Sequence, residues 1–597
     1  MKRSHAMPFG AAVLPDGGVR FRLWAPAARQ VDLVLDDQAE QPLHRLAGGW
    51  FERIEPGASA GSRYRFRIDG DLLVPDPASR RNPDDVHGPS QVIDPATFDW
   101  QDQDWRGRPW HEAVIYELHI GTFSPTGNFA GVMERLDHLA DLGVTAIELM
   151  PVADFPGRRG WGYDGVLPFA PETSYGTPDE FKRLVQAAHA RGLMVFLDVV
   201  YNHFGPDGNY LHVYAPTFFN PERHTPWGAA INFDGADSAT VREFFIHNAL
   251  YWIEEFHVDG LRLDAIHAIR DDSSPDIVEA LAAAVHAAAG ERRVHLILEN
   301  DSNQSHYLGR DAQWNDDIHH AMHVLLTGET DGYYADYADD PVGHLGRCLT
   351  SGFAYQGEPS LYRGNVARGE PSTQLPPGAF VDFLQTHDQV GNRAFGERLD
   401  HLAPPPAVAA ALTVLLLSPH TPMLFMGEEL ATTRPFLYFC DFSANPELAG
   451  AVTEGRRREF ERFARFADPA ARSHIPDPNA NSTFLDCALD WAAADRERLA
   501  LVRTLLAMRR QWLLPRLRDH QGPLAADFER LGERGISVHW HFAGETLHLS
   551  ANLGTQEIAA PPLPAGAVQI FARPDAGIGD PLVPWSAQWH LSVRTIA

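Results

Sequence analysis

His257-Val-Asp-Gly-Leu-Arg-Leu-Asp-Ala265 is the stretch on which the fold turns. It reads as a short strand. Residues two apart share one side of a strand, so Gly260, Arg262 and Asp264 face one way while Leu261, Leu263 and Ala265 face the other. An arginine and an aspartate at the end of an apolar strand are costly to strip of water. Such a pair is either a structural ion pair or part of a site. Similar strand ends recur along the chain, which favours the site.

Working outward, seven more apolar runs share this character. They are Val114–Ile120, Val144–Met150, Met194–Val200, Val294–Glu299, a weak one near Gln313–Asp317, Phe380–Gln385 and Pro422–Met426. Amphipathic stretches such as Phe181–Ala190, Val241–Phe256 and Val278–Ala289 lie between them. Eight strands alternating with crossover helices predict a (β/α)8 TIM-type barrel of the α/β class. A doubly wound sheet fits less well, because no glycine-rich phosphate loop follows the first strand.

The flanks differ. In residues 1–95, Val19, Phe21 and Leu23 alternate with Arg20, Arg22 and Trp24, and Tyr64, Phe66 and Ile68 alternate with arginines. Short alternating runs between turn residues predict an N-terminal immunoglobulin-like β-sandwich. A Pro/Asp/Gly-rich linker follows, ending at Pro89. The barrel is expected over 96–518, with an inserted loop region at about 201–240, and 445–515 reads as helical. Residues 519–597 are expected to form a small C-terminal β-domain, from runs such as Ile536–Phe542 and Thr546–Ser550.

With 597 residues the chain exceeds one core, so several domains are expected. Its 79 acidic against 50 basic residues give a net charge of −29. That argues against nucleic acid or an anionic membrane as partner and suits a neutral substrate. Cys348, Cys440 and Cys487 are too few and too far apart for a disulfide framework or a zinc site. No apolar run follows the charged N-terminus and none is long enough to span a bilayer, so the expected location is the cytoplasm. No cofactor is expected.

In a barrel of this kind, functional residues collect at the C-terminal ends of the strands. Those ends supply Asp198, Asn202 and His203, then Arg262 and Asp264, then Glu299, then His387 and Asp388. Each alone reads equally well as a capped carboxylate or a core histidine. Together on one mouth they point to glycoside hydrolysis, which needs two carboxyl groups across the scissile bond. A metal is not expected: neither His203 nor His387 has a second histidine at ligand spacing, and the His319/His323 pair lacks the glutamate of a zinc-protease helix.

Asp198-Val-Val-Tyr-Asn-His203, Gly260-Leu-Arg-Leu-Asp264, the Glu299 strand end and Thr386-His-Asp388 resemble, in order, the four motif regions of the α-amylase family, family 13 of the glycoside hydrolases. Trp161-Gly-Tyr-Asp164 resembles its sugar-stacking loop, and the resemblance covers about 105–515. Tyr116–Phe123, Ala312–Asp317 running to His320, Leu325–Tyr334, His387–Arg393 and Asp264-Ala-Ile-His267 resemble the members that release trehalose from a trehalose-ended maltooligosaccharide. The resemblance implies cleavage of the α-1,4 bond next to that terminal trehalose, on an α-glucan supplied by a synthase that forms the trehalose end.

It also implies roles. Asp264 would be the nucleophile, Glu299 the general acid and base, and Asp388 the transition-state stabiliser. Arg262 would hold Asp264 ionised. His203 and His387 would bind the sugar and Tyr163 would stack on it, with Asp164, His267, Gln389 and Arg393 as further substrate contacts and Asp198 in support. Thr386 stands where the family usually has asparagine, and Asn202 matches a calcium ligand of secreted members whose partner carboxylates are not found here. The aromatic residues of 201–240 fit either sugar contacts or a small core of their own. Two rival readings share the barrel: a branching or other transglycosylating enzyme with the same catalytic trio, and a non-catalytic glycan-binding protein.

Overall fold

The structure is a computed structural model that describes residues 1–36, 39–309, 311–520 and 522–593. At its centre eight strands close into a barrel. They are β1 (Ile115–Leu118), β2 (Ala146–Leu149), β3 (Met194–Val199), β4 (Gly260–Leu263), β5 (His295–Leu298), β6 (Ala312–Trp314), β7 (Phe380–Asp382) and β8 (Thr421–Phe425). All eight pairings are parallel, including the closure of β8 on β1. Each expected apolar run overlaps one barrel strand, though β6 and β8 each begin one residue before the expected run. The weak sixth run is weak because β6 is only three residues long and carries Gln313 at its centre.

Packing explains the glycine that opens β4. A Cβ on Gly260 would lie 2.2 Å from the His295 carbonyl oxygen and 2.9 Å from the Phe196 ring. Any larger residue would push β4 away from β5 and misplace Arg262. Among the outer helices, α1 (Pro178–His189) starts before the expected Phe181. Thr177 and Glu180 form a reciprocal capping box, and Pro178 suits the first turn. The helices α2 (Ser238–Glu254) and α3 (Ile277–Ala289) follow the expected stretches closely. A helix after β6, α4 (Asp316–Thr327), leads into a long excursion that holds α5 (Pro341–Ser351) and a hairpin at 358–368. After β7 comes α6 (Pro405–Leu417). The 445–515 region is helical in pieces, of which Pro446–Glu459 and Arg496–Met508 are the longest.

The N-terminal region is two facing antiparallel sheets, built around Val19–Trp24 and Trp50–Glu55 on one side and Val31–Leu35 and Arg63–Ile68 on the other. Phe21 and Tyr64 meet between them at 4.8 Å. Trp24, expected on the outer side, is buried as well, against Phe218 of the long loop after β3. The C-terminal region is one five-stranded sheet. Its apolar face lies on the barrel's helices, where the indoles of Trp540 and Trp589 donate to the carbonyls of Leu349 and Thr413. No helix of the described residues is long and apolar enough to cross a membrane.

Candidate active site

A cavity of about 540 Å³ opens where the barrel strands end. Its wall includes Tyr163, Asp164, His203, Arg262, Asp264, His267, Glu299, His387, Asp388 and Gln389. Ten of the eleven residues predicted from sequence therefore meet in one place. Arg393 does not line it. Its guanidinium grips Glu329 at 2.7 and 3.0 Å and Glu397 at 3.2 Å, so its donors are engaged away from a sugar.

Arg262 is the hub. It is almost fully buried and lies 4.2 Å from the Trp314 ring centre. One terminal nitrogen donates to Asp198 at 2.7 Å and to Asp264 at 2.9 Å, and the other donates to Glu299 at 2.8 Å. One cation thus serves three carboxyl groups that point inward from neighbouring strand ends. The chain turns sharply after Asp264, because Ala265 adopts a left-handed backbone (φ 41°). Such a conformation costs about 1–3 kcal/mol and persists only when its surroundings hold it. Here it aims the Ala265 N–H at Glu299, 2.8 Å away.

The environments push Asp264 and Glu299 apart. Burial resists ionisation of Asp264, but Arg262, His203 and the Asn202 amide outweigh it and hold the group below its usual range. The Asn202 bond is 2.7 Å long. Burial pushes Glu299 well above its usual range. Arg262 pulls against that, while Asp264, Asp388 and Asp316 push with it. One carboxylate held ionised beside one held protonated is the arrangement that acid-and-nucleophile chemistry needs. Asp388 sits in the first turn of a short helix at 387–391, where it accepts from Asn392 at 2.7 Å.

Thr386 caps that short helix. Its hydroxyl accepts from the Asp388 N–H at 3.2 Å and donates to Gln389 at 2.6 Å. His203 stacks on Trp227 at 4.6 Å, and burial lowers its basicity, as it does for His267. Tyr163 donates to Asp198 at 2.6 Å and lies over His387 with ring centres 5.2 Å apart. Burial raises Asp164 to about 6. In the long loop after β3, Phe218 and Phe219 join Phe204, Phe244 and Phe245 in a core, as one of the two readings expected, while Trp227 reaches the cavity wall.

Asn202 spends its amide on its neighbours. Nδ2 donates to the Asp264 side chain and carbonyl, and Oδ1 meets His203. Among the described residues, one set could place side-chain ligands around a single ion: Asp102, His189 and His257. These precede β1, end α1 and precede β4, so they lie at the opposite end of the barrel. Both Nδ1 atoms already bond to Asp102, and His189 Nε2 bonds to Asp259. The group is a hydrogen-bond network that needs no ion to balance it.

Three family models match the chain. Residues 92–217 match the alpha amylase catalytic domain, 8–79 match carbohydrate-binding module 48 (isoamylase N-terminal domain), and 523–589 match a domain of unknown function. A malto-oligosyltrehalose trehalohydrolase from Saccharolobus solfataricus is 43% identical over 514 residues, covering 85% of this chain and 87% of that protein. The chain belongs to the malto-oligosyltrehalose trehalohydrolases of the alpha-amylase family. A second relative of that name, from Arthrobacter ramosus, is 44% identical over 82% of this chain and 87% of its own length. A crystal structure of a Salmonella typhimurium protein described as an alpha amylase superposes with a TM-score of 0.93 at 44% identity, covering 98% and 100% of the two chains. A pullulanase from Paenibacillus barengoltzii, complexed with maltotetraose, shares the fold alone (TM-score 0.74, 20% identity, 99% and 96% covered).

Several cavity residues of this trehalohydrolase family member escaped the sequence reading. Asp316, raised to about 7 chiefly by burial, follows β6, and its signal was present as an acid at a strand end. Tyr333, Asp336, Tyr337, Tyr362, Arg363 and Arg368 come from the excursion between β6 and β7. No barrel strand precedes them closely, so the strand-end rule does not reach them. Glu117 lies beneath His387, and its signal is a lone carboxyl inside an apolar strand.

Proposed function

We propose that this chain hydrolyses the α-1,4 bond next to the terminal trehalose of maltooligosyltrehalose, releasing trehalose and a shortened maltooligosaccharide. The observation that carries the chemistry is the ionised Asp264 and the protonated Glu299 on one arginine. Identity above 40% over most of each chain to relatives named for this reaction carries the substrate. A single guanidinium reaching both groups favours the close spacing of a retaining pair over the wide spacing of an inverting one.

In the first step Asp264 attacks the anomeric carbon. The bond to the leaving trehalose oxygen breaks, and Glu299 gives that oxygen its proton. In the second step Glu299, now a carboxylate, takes a proton from water. The hydroxyl oxygen bonds to the anomeric carbon, the bond to Asp264 breaks, and Glu299 is left protonated for the next turnover. We assign Asp388 to the sugar hydroxyls in the oxocarbenium-like transition state. His203 and His387 bind the sugar beside the cut, and Tyr163 stacks on it. Asp164, His267 and Gln389 complete the contacts, with Asp198 holding Arg262 and Tyr163 in place.

We divide the chain at about 95 and 518 into sandwich, barrel and C-terminal β-domain. The substrate comes from a synthase that builds the trehalose end. We assign the reaction to the cytoplasm, a reading supported by three free buried cysteines. Product identification tests the reading. Free trehalose from maltooligosyltrehalose, with little attack on a plain maltooligosaccharide of equal length, is the expected result. Longer or branched glucans from both would move the function to the transglycosylating class.

A further inference from the structure

We propose that Glu117 is a positioning residue: from inside the barrel it keeps both ring nitrogens of His387 protonated, aims the ring at Tyr163, and so fixes the hydrogen-bond chain that ends on Asp264. Glu117 lies on β1 and is almost fully buried. One of its oxygens accepts the His387 backbone N–H at 3.0 Å, and the other accepts Nδ1–H of the same residue. Nε2 of that ring lies 2.9 Å from the Tyr163 hydroxyl.

The donors can be counted. A tyrosine hydroxyl has one proton to give. Asp198 Oδ2, 2.6 Å away, is a carboxylate oxygen that also receives Arg262, so it takes that proton. The Tyr163 oxygen is then an acceptor toward His387, and Nε2 must carry a hydrogen. With Nδ1–H on Glu117, the imidazole holds both. The chain therefore runs from Glu117 through His387, Tyr163, Asp198 and Arg262 to Asp264.

Other groups around the ring do not supply the charge balance. His119, also from the end of β1, and Arg262 oppose a cation here, while Asp388 on the ring's own helix favours one. Trp161 and Trp314 are neutral walls at 5.3 and 6.0 Å. Burial lowers the basicity of His387, yet the net effect is a rise, with Glu117 the leading favourable partner. Without Glu117, burial would favour a neutral ring with one hydrogen to place on either nitrogen, and whenever Nε2 lacks it the Tyr163 hydroxyl can donate to His387 instead of Asp198.

The test is Glu117→Gln, an isosteric change that removes the charge. This proposal rests on the trehalose-releasing reading only for its assay substrate. The expected result is a loss in kcat/KM of about tenfold or more at pH 8 that becomes smaller as pH falls and more of the ring carries both hydrogens; tenfold corresponds to about one pH unit of displacement in the alkaline limb. The same fold-loss at every pH, or an unchanged profile, would overturn the proposal. A second measurement needs neither the variant nor the substrate. In ¹⁵N-histidine NMR of the native chain, with His387 assigned by its absence in His387→Gln, both ring nitrogens should stay protonated through pH 7.5. Loss of one proton near the ordinary value of about 6.5 would sink the idea. If the products proved to be branched glucans, the functional reading would fail while the NMR result still decided this one.

Discussion

The two ends of the barrel both bury charge, and they match it differently. At the mouth, Arg262 faces Asp198, Asp264 and Glu299 together. At the floor, Asp102 and Asp259 flank His189 at 2.7 and 2.9 Å, with Arg292 and Arg3 nearby at 3.4 and 3.6 Å. The floor has cations enough for both of its aspartates, which are held below their usual range. The mouth has one cation for three carboxyl groups, and burial there pushes Glu299 well above its usual range and Asp198 to about 6. Matched buried charge fixes a structure, whereas a deliberate mismatch keeps a proton available for transfer.

The sharpest way to break this contrast is at the mouth. Glu299→Gln is expected to lower turnover of the natural substrate about 10²- to 10⁴-fold, the usual contribution of general acid–base catalysis. A substrate with a good leaving group should lose much less, since it needs little protonation. Equal losses on both substrates would remove Glu299 from the acid role.

At the floor the same kind of change should cost stability and spare chemistry. Asp102→Asn leaves Arg3 without its counter-charge and His189 with Asp259 alone, and breaking a buried pair costs about 3–5 kcal/mol. Denaturant melts should show the loss, while kcat of the folded fraction stays near the native value.

Acidity sharpens the same prediction. His189 is raised, burial being outweighed by Asp259 and Asp102, so its contribution is complete below about pH 6.5 and is lost as pH rises through its folded value. His257 is lowered to about 4 by burial, so its contribution is lost as pH falls below about 6.5. Asp259, at about 2, adds a further loss below about pH 4. Native stability from the network should therefore peak near pH 6.5, and Asp102→Asn should flatten that peak. A variant whose melting temperature tracks the native curve at a constant offset would argue against the network.

The smallest effect belongs to Thr386. Thr386→Ala removes an N-cap worth about 1 kcal/mol. It also frees the Asp388 N–H and Gln389, so KM should rise modestly with little change in melting temperature. Thermal melts beside Michaelis–Menten curves check both.

Much of this was legible in the sequence because the barrel writes itself as apolar runs and the site follows at their ends. Asp264 and Glu299 were readable for that reason. Arg393 was not readable correctly: its place in a motif gave no sign that Glu329, far off in the chain, would engage it. Arg368 and Tyr337 were hidden for a related cause. They bond to each other and to Asp317, and that pairing is made by the folding of the excursion, which no local periodicity reports.

The N-terminal sandwich turns its large rings inward. Trp24 meets Phe218, Trp50 meets Phe9, and Phe9 meets Phe244 of α2. Phe218 belongs to the same loop that carries Trp227 to the cavity wall. A module matching a carbohydrate-binding lineage thus serves here as a buttress, and loosening it would be felt first as slack in the wall beside the substrate.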